Sequence, residues 1–366
     1  MFTRAEIEQQ PTMWRATRQV VTALRTETDR LLATALHDPR TRIVLTGAGT
    51  SAYVGELLAP ELTRLLKRPV DAIATTDLVT DPLAVAVDDR PVLLVSFARS
   101  GNSPESSAAC RLIDQVAAAS YHLVITCNAD GDLARDYRDA ENAVVVALPP
   151  ETNDRSFAMT SSFTSMTLAA WLSLAGDTDV DALAAAGEGV LRQAGVIEDA
   201  VRALDPDRIV YLGSGGLKGL AHEGALKCLE LTAGDVFAMG ESSLGFRHGP
   251  KAALTTRTLA VVFVSGDPYR RAYDLDIARE LAGSLGAERV VVVADASYGV
   301  EAVHWPVART PGTPDALWGI AAVVAAQLVA LTASLAGGHT PDNPFPGGEV
   351  NRVVQGVVIH PFASMQ

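Results

Sequence analysis

Short runs of Val, Ile and Leu without polar alternation recur along the chain, first at residues 42–46, 91–97, 121–127 and 142–148. A strand with one wet face alternates apolar and polar residues, so runs that are apolar throughout suit a parallel sheet covered on both faces. Helix-compatible stretches such as 51–66 and 105–119 lie between them and give the β-α alternation of a doubly wound fold. A second series follows at 208–212, 259–264, 289–294 and 303–307, offset by roughly 167 residues over its first three strands. Turn chemistry repeats as well: LTGAG at 45–49 is echoed by LGSGG at 212–216. The pattern predicts a duplicated α/β unit: an N-terminal helical segment at 1–40, a first domain with connecting helices at 41–200, and a second domain with a C-terminal tail at 201–366. Residues 337–348 are too rich in Gly and Pro for a helix or strand and are expected to form an ordered loop. The run VNRVVQGVVI at 350–359 is apolar enough to anchor the tail, which could then cover an active site.

A chain of 366 residues, 48% apolar and 20% charged, can build two globular cores. Its net charge of −13 argues against a nucleic-acid partner, which demands a basic face. A small phosphorylated ligand stays compatible, because backbone N–H groups and a local cation hold it whatever the overall sign. We expect no membrane-spanning segment, reading no charge-free apolar run as close to the roughly 20 residues a bilayer crossing needs. The opening MFTRAEIEQQ lacks the apolar core of a signal peptide, and Cys110, Cys127 and Cys228 form neither a disulfide framework nor a zinc motif. A cytoplasmic protein is the expectation.

Five segments carry candidate chemistry. Gly47-Ala48-Gly49-Thr50-Ser51 joins a strand to a helix, where glycines let a ligand approach and two hydroxyls sit beside a helix N-terminus; a plain helix cap explains it equally. No complete G-x-G-x-x-G or Walker pattern is present, which disfavours dinucleotide binding and ATP hydrolysis. In Ala98-Arg99-Ser100-Gly101-Asn102-Ser103-Pro104-Glu105, Ser103 suits an N-cap and Pro104 the first helical position, while Ser100 and Ser103 could ring a phosphate and Arg99 add charge or face outward. Two such loops at the carboxyl ends of neighbouring strands mark the place where open α/β sheets bind ligands. The polar run 152–162, from which Thr160 is taken as a candidate contact, follows the fourth strand. Glu223, Lys227 and Glu230 fall on one face of a helix over 220–231, either as a solvated ion-paired stripe or as acid/base machinery. His248, in Gly245-Phe246-Arg247-His248-Gly249-Pro250-Lys251, sits in a Gly- and Pro-bounded loop and has a pKa suited to proton transfer.

Together GAGTS, FARSGNSPES, GSGGLKGLAHEGALKCLELTAGD, GFRHGPK and the terminal NRVVQGVVIHPF resemble, in order and over nearly the whole chain, the sugar isomerase (SIS) family and within it the AgaS branch of galactosamine-6-phosphate deaminase/isomerases, earlier described as tagatose-6-phosphate ketose/aldose isomerases. The resemblance implies two tandem SIS domains, each a mostly parallel doubly wound sheet flanked by helices, in a homodimer or larger homo-oligomer with its active site near a subunit boundary. It implies that Thr50, Ser51, Ser100 and Ser103 hold the phosphate of a hexosamine 6-phosphate. Glu230 would move the proton between C1 and C2, His248 would open the sugar ring, and Lys227 would assist at the substrate oxygens. Where the related glucosamine-6-phosphate synthase carries a tail lysine able to form a Schiff base, this chain has Gln355. The implied reaction converts galactosamine 6-phosphate to tagatose 6-phosphate and ammonia and needs no cofactor or metal. A plain aldose/ketose isomerase and a non-catalytic sugar-phosphate sensor are the alternatives.

Overall fold

The computed structural model describes residues 1–354 and 356–363. Three helices, α1 (Phe2–Glu8), α2 (Gln10–Ala23) and α3 (Arg25–Ala35), precede the first strand. The first series runs β1 (Arg42–Thr46), α4 (Thr50–Leu66), β2 (Val70–Ala72), α5 (Thr75–Thr80), β3 (Val92–Ala98), α6 (Pro104–Val116), β4 (Ser120–Thr126), α7 (Asp132–Tyr137), β5 (Ala143–Ala147) and α8 (Ser161–Leu174). Helices α9 (Val180–Arg192) and α10 (Ala194–Leu204) lead into the second series. It comprises β6 (Arg208–Gly213), α11 (Leu217–Leu231), β7 (Phe237–Glu241), β8 (Thr258–Phe263), α12 (Pro268–Leu285), β9 (Val290–Ala294), β10 (Val303–Pro306) and α13 (Asp315–Ala336).

The strands form two five-stranded sheets, β2-β1-β3-β4-β5 and β7-β6-β8-β9-β10, and every neighbouring pair is parallel. The two orders are the same, so each sheet reverses direction at its second and third strands in space, β1 beside β3 and β6 beside β8. Ligands of open parallel sheets bind beyond the carboxyl ends at such a reversal. The central strands are buried on both faces, as their unalternating sequences predict.

The short edge strands β2 and β7 are absent from the sequence reading. β2 has three residues, and β7 carries Gly240 in place of an apolar side chain. Helix α11 crosses Gly240 so closely that a Cβ there would lie 2.5 Å from the backbone of Ala221. One expectation is overturned outright: Ala316 to Ala336 is a charge-free apolar run long enough to cross a bilayer, and it forms α13. The helix is buried nearly all round, packed against α1, α9, α10 and α11, with Gln327 paired to Gln10 at 2.7 Å. A helix apolar on every side is the core helix of a large α/β layer as readily as a membrane span. Helix α8 has the same character beside α3 and α4.

Packing groups the chain differently from its linear order. One compact unit comprises residues 1–12, 154–160 and 179–349 and contains the second sheet; the other comprises 13–153, 161–178 and 350–366 and contains the first. The tail beyond residue 349 forms no helix or strand in its described residues. Its anchorage is polar, against the expectation of an apolar one: Val350, Val354, Val357 and Val358 are exposed. Arg99 donates to the Arg352 carbonyl at 2.7 Å, Arg352 to Asn153 at 3.1 Å, and Gln115 to the Phe362 carbonyl at 3.0 Å. Gln355 lies outside the described residues.

Candidate active site

At the carboxyl end of β1 the chain turns sharply into α4. A Cβ on Gly47 would lie 2.5 Å from the backbone of Ser51, and Gly49 adopts φ +56°, a conformation that disfavours any side chain. This turn sets Thr50 and Ser51, both buried, in the first turn of α4. Beyond neighbouring β3, Ser100 and Ser103 flank Gly101 at φ +67°. The loop is braced from below: Asn128 donates to the Ser100 carbonyl at 2.9 Å, and the Leu133 N–H to the Gly101 carbonyl at 3.0 Å. Ser103 takes the N-cap position ahead of Pro104, yet its hydroxyl caps no backbone group and pairs with the Ser106 hydroxyl at 2.7 Å. The Ser100 hydroxyl accepts the Asn102 N–H at 3.3 Å. The two hydroxyl-bearing loops thus follow the carboxyl ends of adjacent strands, and among the described residues no carboxylate pairs with Ser100 or Ser103. Arg99 resolves inward, buried under the tail backbone it holds. Thr160 is fully buried in the other unit and gives its N–H and hydroxyl to Asp154, at 2.7 and 3.2 Å.

The matching crevice of the second sheet is furnished differently. Ser214 beyond β6 and Ser243 beyond β7 each donate to one oxygen of Asp274 at 2.5 Å, and the Ser265 N–H beyond β8 donates to the other at 3.0 Å. Asp315, at the start of α13, accepts the Ser265 hydroxyl at 2.5 Å and the Gly266 N–H at 2.8 Å, and pairs with Arg309 at 2.7 Å and Arg270 at 3.2 Å. Burial pushes the Asp274 carboxyl above its ordinary range, although the bonds from Ser214, Ser243 and Ser265 pull it back. Sequence reasoning passed over both aspartates; the only signal was the short Ser265-Gly266-Asp267-Pro268 turn.

Helix α11 follows the Gly215-Gly216 turn and carries Glu223, Lys227 and Glu230 on one face. The face is buried, which removes the solvated-stripe alternative. Lys227 and Glu223 are 0% exposed, their charges 3.6 Å apart, while Glu230, 2.5 Å from the ammonium, keeps 23% of its side chain in solvent. One reachable carboxylate is therefore held by a dry cation. His248 stands exposed after a 3-10 turn, its N–H bonded to the Gly245 carbonyl at 2.9 Å. Its neighbours pin the loop to α12: Arg247 pairs with Glu280 at 2.8 Å, and Lys251 pairs with the same carboxylate. The backbone is fixed while the imidazole stays outward.

With this geometry in place, comparison with known proteins is decisive. A family model for the SIS domain matches residues 35–175. An AgaS protein of Streptomyces coelicolor is 53% identical over 98% of this chain and 95% of its own length. The chain belongs to the AgaS branch of the SIS family. The D-galactosamine-6-phosphate deaminase AgaS of Escherichia coli is 43% identical, over 99% of this chain and 96% of its own. Among solved structures, the tagatose-6-phosphate ketose/aldose isomerase of Escherichia coli superposes with a TM-score of 0.92 at 41% identity, covering 99% of this chain and 97% of that one. The AgaS resemblance and the two-SIS-domain architecture expected from sequence both hold.

Proposed function

We propose that this chain is an amino-sugar phosphate deaminase/isomerase that converts galactosamine 6-phosphate to tagatose 6-phosphate and ammonia. The supporting observation is the buried face of α11, where Lys227 lies between Glu223 and Glu230 and only Glu230 reaches solvent. Thr50, Ser51, Ser100 and Ser103 take the substrate phosphate, so that binding energy remote from the reacting carbons orients them. Thr160 and Arg99, engaged by Asp154 and by the tail, position the structure around the substrate; Gln355 takes the tail position where an imine-forming lysine would stand.

His248 assists ring opening. Glu230 removes the C2 proton of the open-chain aldehyde, leaving an enolamine, and returns a proton to C1, which produces an imine at C2. Water adds to that carbon, the amine leaves as ammonia, and the ketose 6-phosphate remains. Apart from the opening of the ring hemiacetal and the loss of ammonia from the hydrated carbon, every step is a proton transfer or a hydration. An outward His248 on a pinned loop suits service in a neighbouring copy, and a cytoplasmic homo-oligomer accompanies this reading.

Purified protein supplied with galactosamine 6-phosphate is expected to release ammonia in step with ketose formation. Ketose–aldose interconversion of tagatose 6-phosphate without ammonia would replace the deaminase by the plain isomerase named for the 41% identical structure. Phosphosugar binding with no turnover would reduce the chain to a sensor.

A further inference from the structure

The two sheets share one strand order, yet their crevices differ in what the turn donors hold. In the second, Ser214, Ser243 and the Ser265 N–H come from the ends of three strands and meet on a single buried carboxylate, that of Asp274. Hydroxyls and a backbone N–H converging beyond the carboxyl ends of β6, β7 and β8 form the donor set an oxyanion requires. Asp274 reaches them from the body of α12, six residues after the proline that opens the helix. Six residues after Pro104, the proline that opens α6, stands Cys110, against Ser96 at 3.4 Å. Burial pushes that thiol up to about 12, so it carries no charge at neutral pH. At the same count along the corresponding helix, the first half therefore carries a neutral side chain and the second an acid.

We propose that the second crevice is a self-filled anion site: Asp274 occupies, as a permanent internal ligand, the place corresponding to the one the first crevice leaves to a phosphate. Asp315, neutralised by Arg309 and Arg270, closes the rest of it by taking the Ser265 hydroxyl and the Gly266 N–H. Each chain therefore binds one phosphosugar although it carries two crevices of the same descent; this stoichiometry, unlike the internal ligand itself, rests on the function proposed above.

The test removes the internal ligand and offers a small anion in its stead. Asp274→Ala is expected to lower Tm by about 5–10 °C, with most of the loss recovered in formate, little in the neutral isostere formamide, little in chloride of equal ionic strength, and no comparable shift in the wild type. If the variant does not fold in plain buffer, refolding yield from urea with formate against formamide reads the same property. Equal recovery in formate and formamide, recovery in neither, or refolding in neither overturns the proposal. Failure of the first-half phosphate reading shows elsewhere, as an unchanged KM in Ser100→Ala, which formate rescue does not touch.

Discussion

The loops beyond β1 and β3 and those beyond β6 and β8 begin from the same topology and end in opposite states. In the first pair, the Ser100 and Ser103 hydroxyls pair, among the described residues, with an N–H and another hydroxyl. In the second, the corresponding donors are bonded to Asp274 and Asp315. Strand order creates a crevice at each reversal, but a crevice takes a ligand only if the chain has not filled it. In the second half, α11 buries Lys227 and Glu223 and leaves Glu230 as the one carboxylate of that face open to solvent. The two sheets share one strand order, and in the function proposed above one half holds the phosphate while the other carries the proton.

The largest effect expected on this division comes at Glu230. Glu230→Gln keeps the shape of the side chain and removes its proton chemistry, so kcat should fall by about 10²- to 10⁴-fold with KM little changed. Activity within a few-fold of wild type would move the acid/base role off α11. Next in size is Lys227→Met, which takes the ammonium from between two carboxylates, one of them fully buried. Breaking a buried ion pair from one side typically costs about 3–5 kcal/mol. Urea denaturation should show a loss of that order, and an unchanged midpoint would mean that Glu223 does not depend on the ammonium 3.6 Å away.

Much of the fold was legible in the sequence, for reasons that differ by residue. The central strands stand within a residue or two of their expected bounds because uncharged Val-rich runs between Gly- and Ser-rich turns fit little else. Residues 70–72 read Val-Asp-Ala and carry no such signal, since an edge strand with half-exposed faces needs neither length nor hydrophobicity. The single face shared by Glu223, Lys227 and Glu230 follows from spacing; its burial does not, because that depends on what α11 packs against. The filled crevice was out of reach altogether. Asp274 meets Ser214 across 60 residues and Asp315 meets Ser265 across 50, and no local pattern announces such partners.

A paired substitution sharpens the contrast between the crevices directly. Ser100→Ala removes a hydroxyl proposed to bond a phosphate, and hydrogen bonds to charged groups are worth about 1.5–3 kcal/mol. KM for galactosamine 6-phosphate should rise about tenfold or more, with stability nearly unchanged. Ser214→Ala, in the turn beyond β6, should do the reverse: KM within error of wild type, and about 1–2 kcal/mol lost from stability, since one donor to a buried carboxylate is gone. A rise in KM from Ser214→Ala as large as that from Ser100→Ala would show both crevices in use and erase the distinction.

The smallest effect separates two helix carboxylates that occupy opposite regimes, Asp114 on α6 and Asp274 on α12. Burial would raise the Asp114 carboxyl, but hydrogen bonding with His122, Ser120 and Tyr137 outweighs it and brings the group down to about 2. A carboxyl depressed on folding binds its proton more readily in the unfolded chain, so its contribution is present above the unfolded value, near 3.8, and is lost as pH falls through about 2. Asp274 is displaced upward, so the sign inverts: its contribution is fullest below the unfolded value and declines as pH rises through the folded one. Asp114→Asn should therefore lie below wild type in thermal stability at neutral pH and converge on it between pH 4 and pH 2. The gap is expected to be modest, because the Asp114 side chain is 37% exposed and solvent screens it. A gap that stays constant down to pH 2 would show that Asp114 acts through packing and not through its charge.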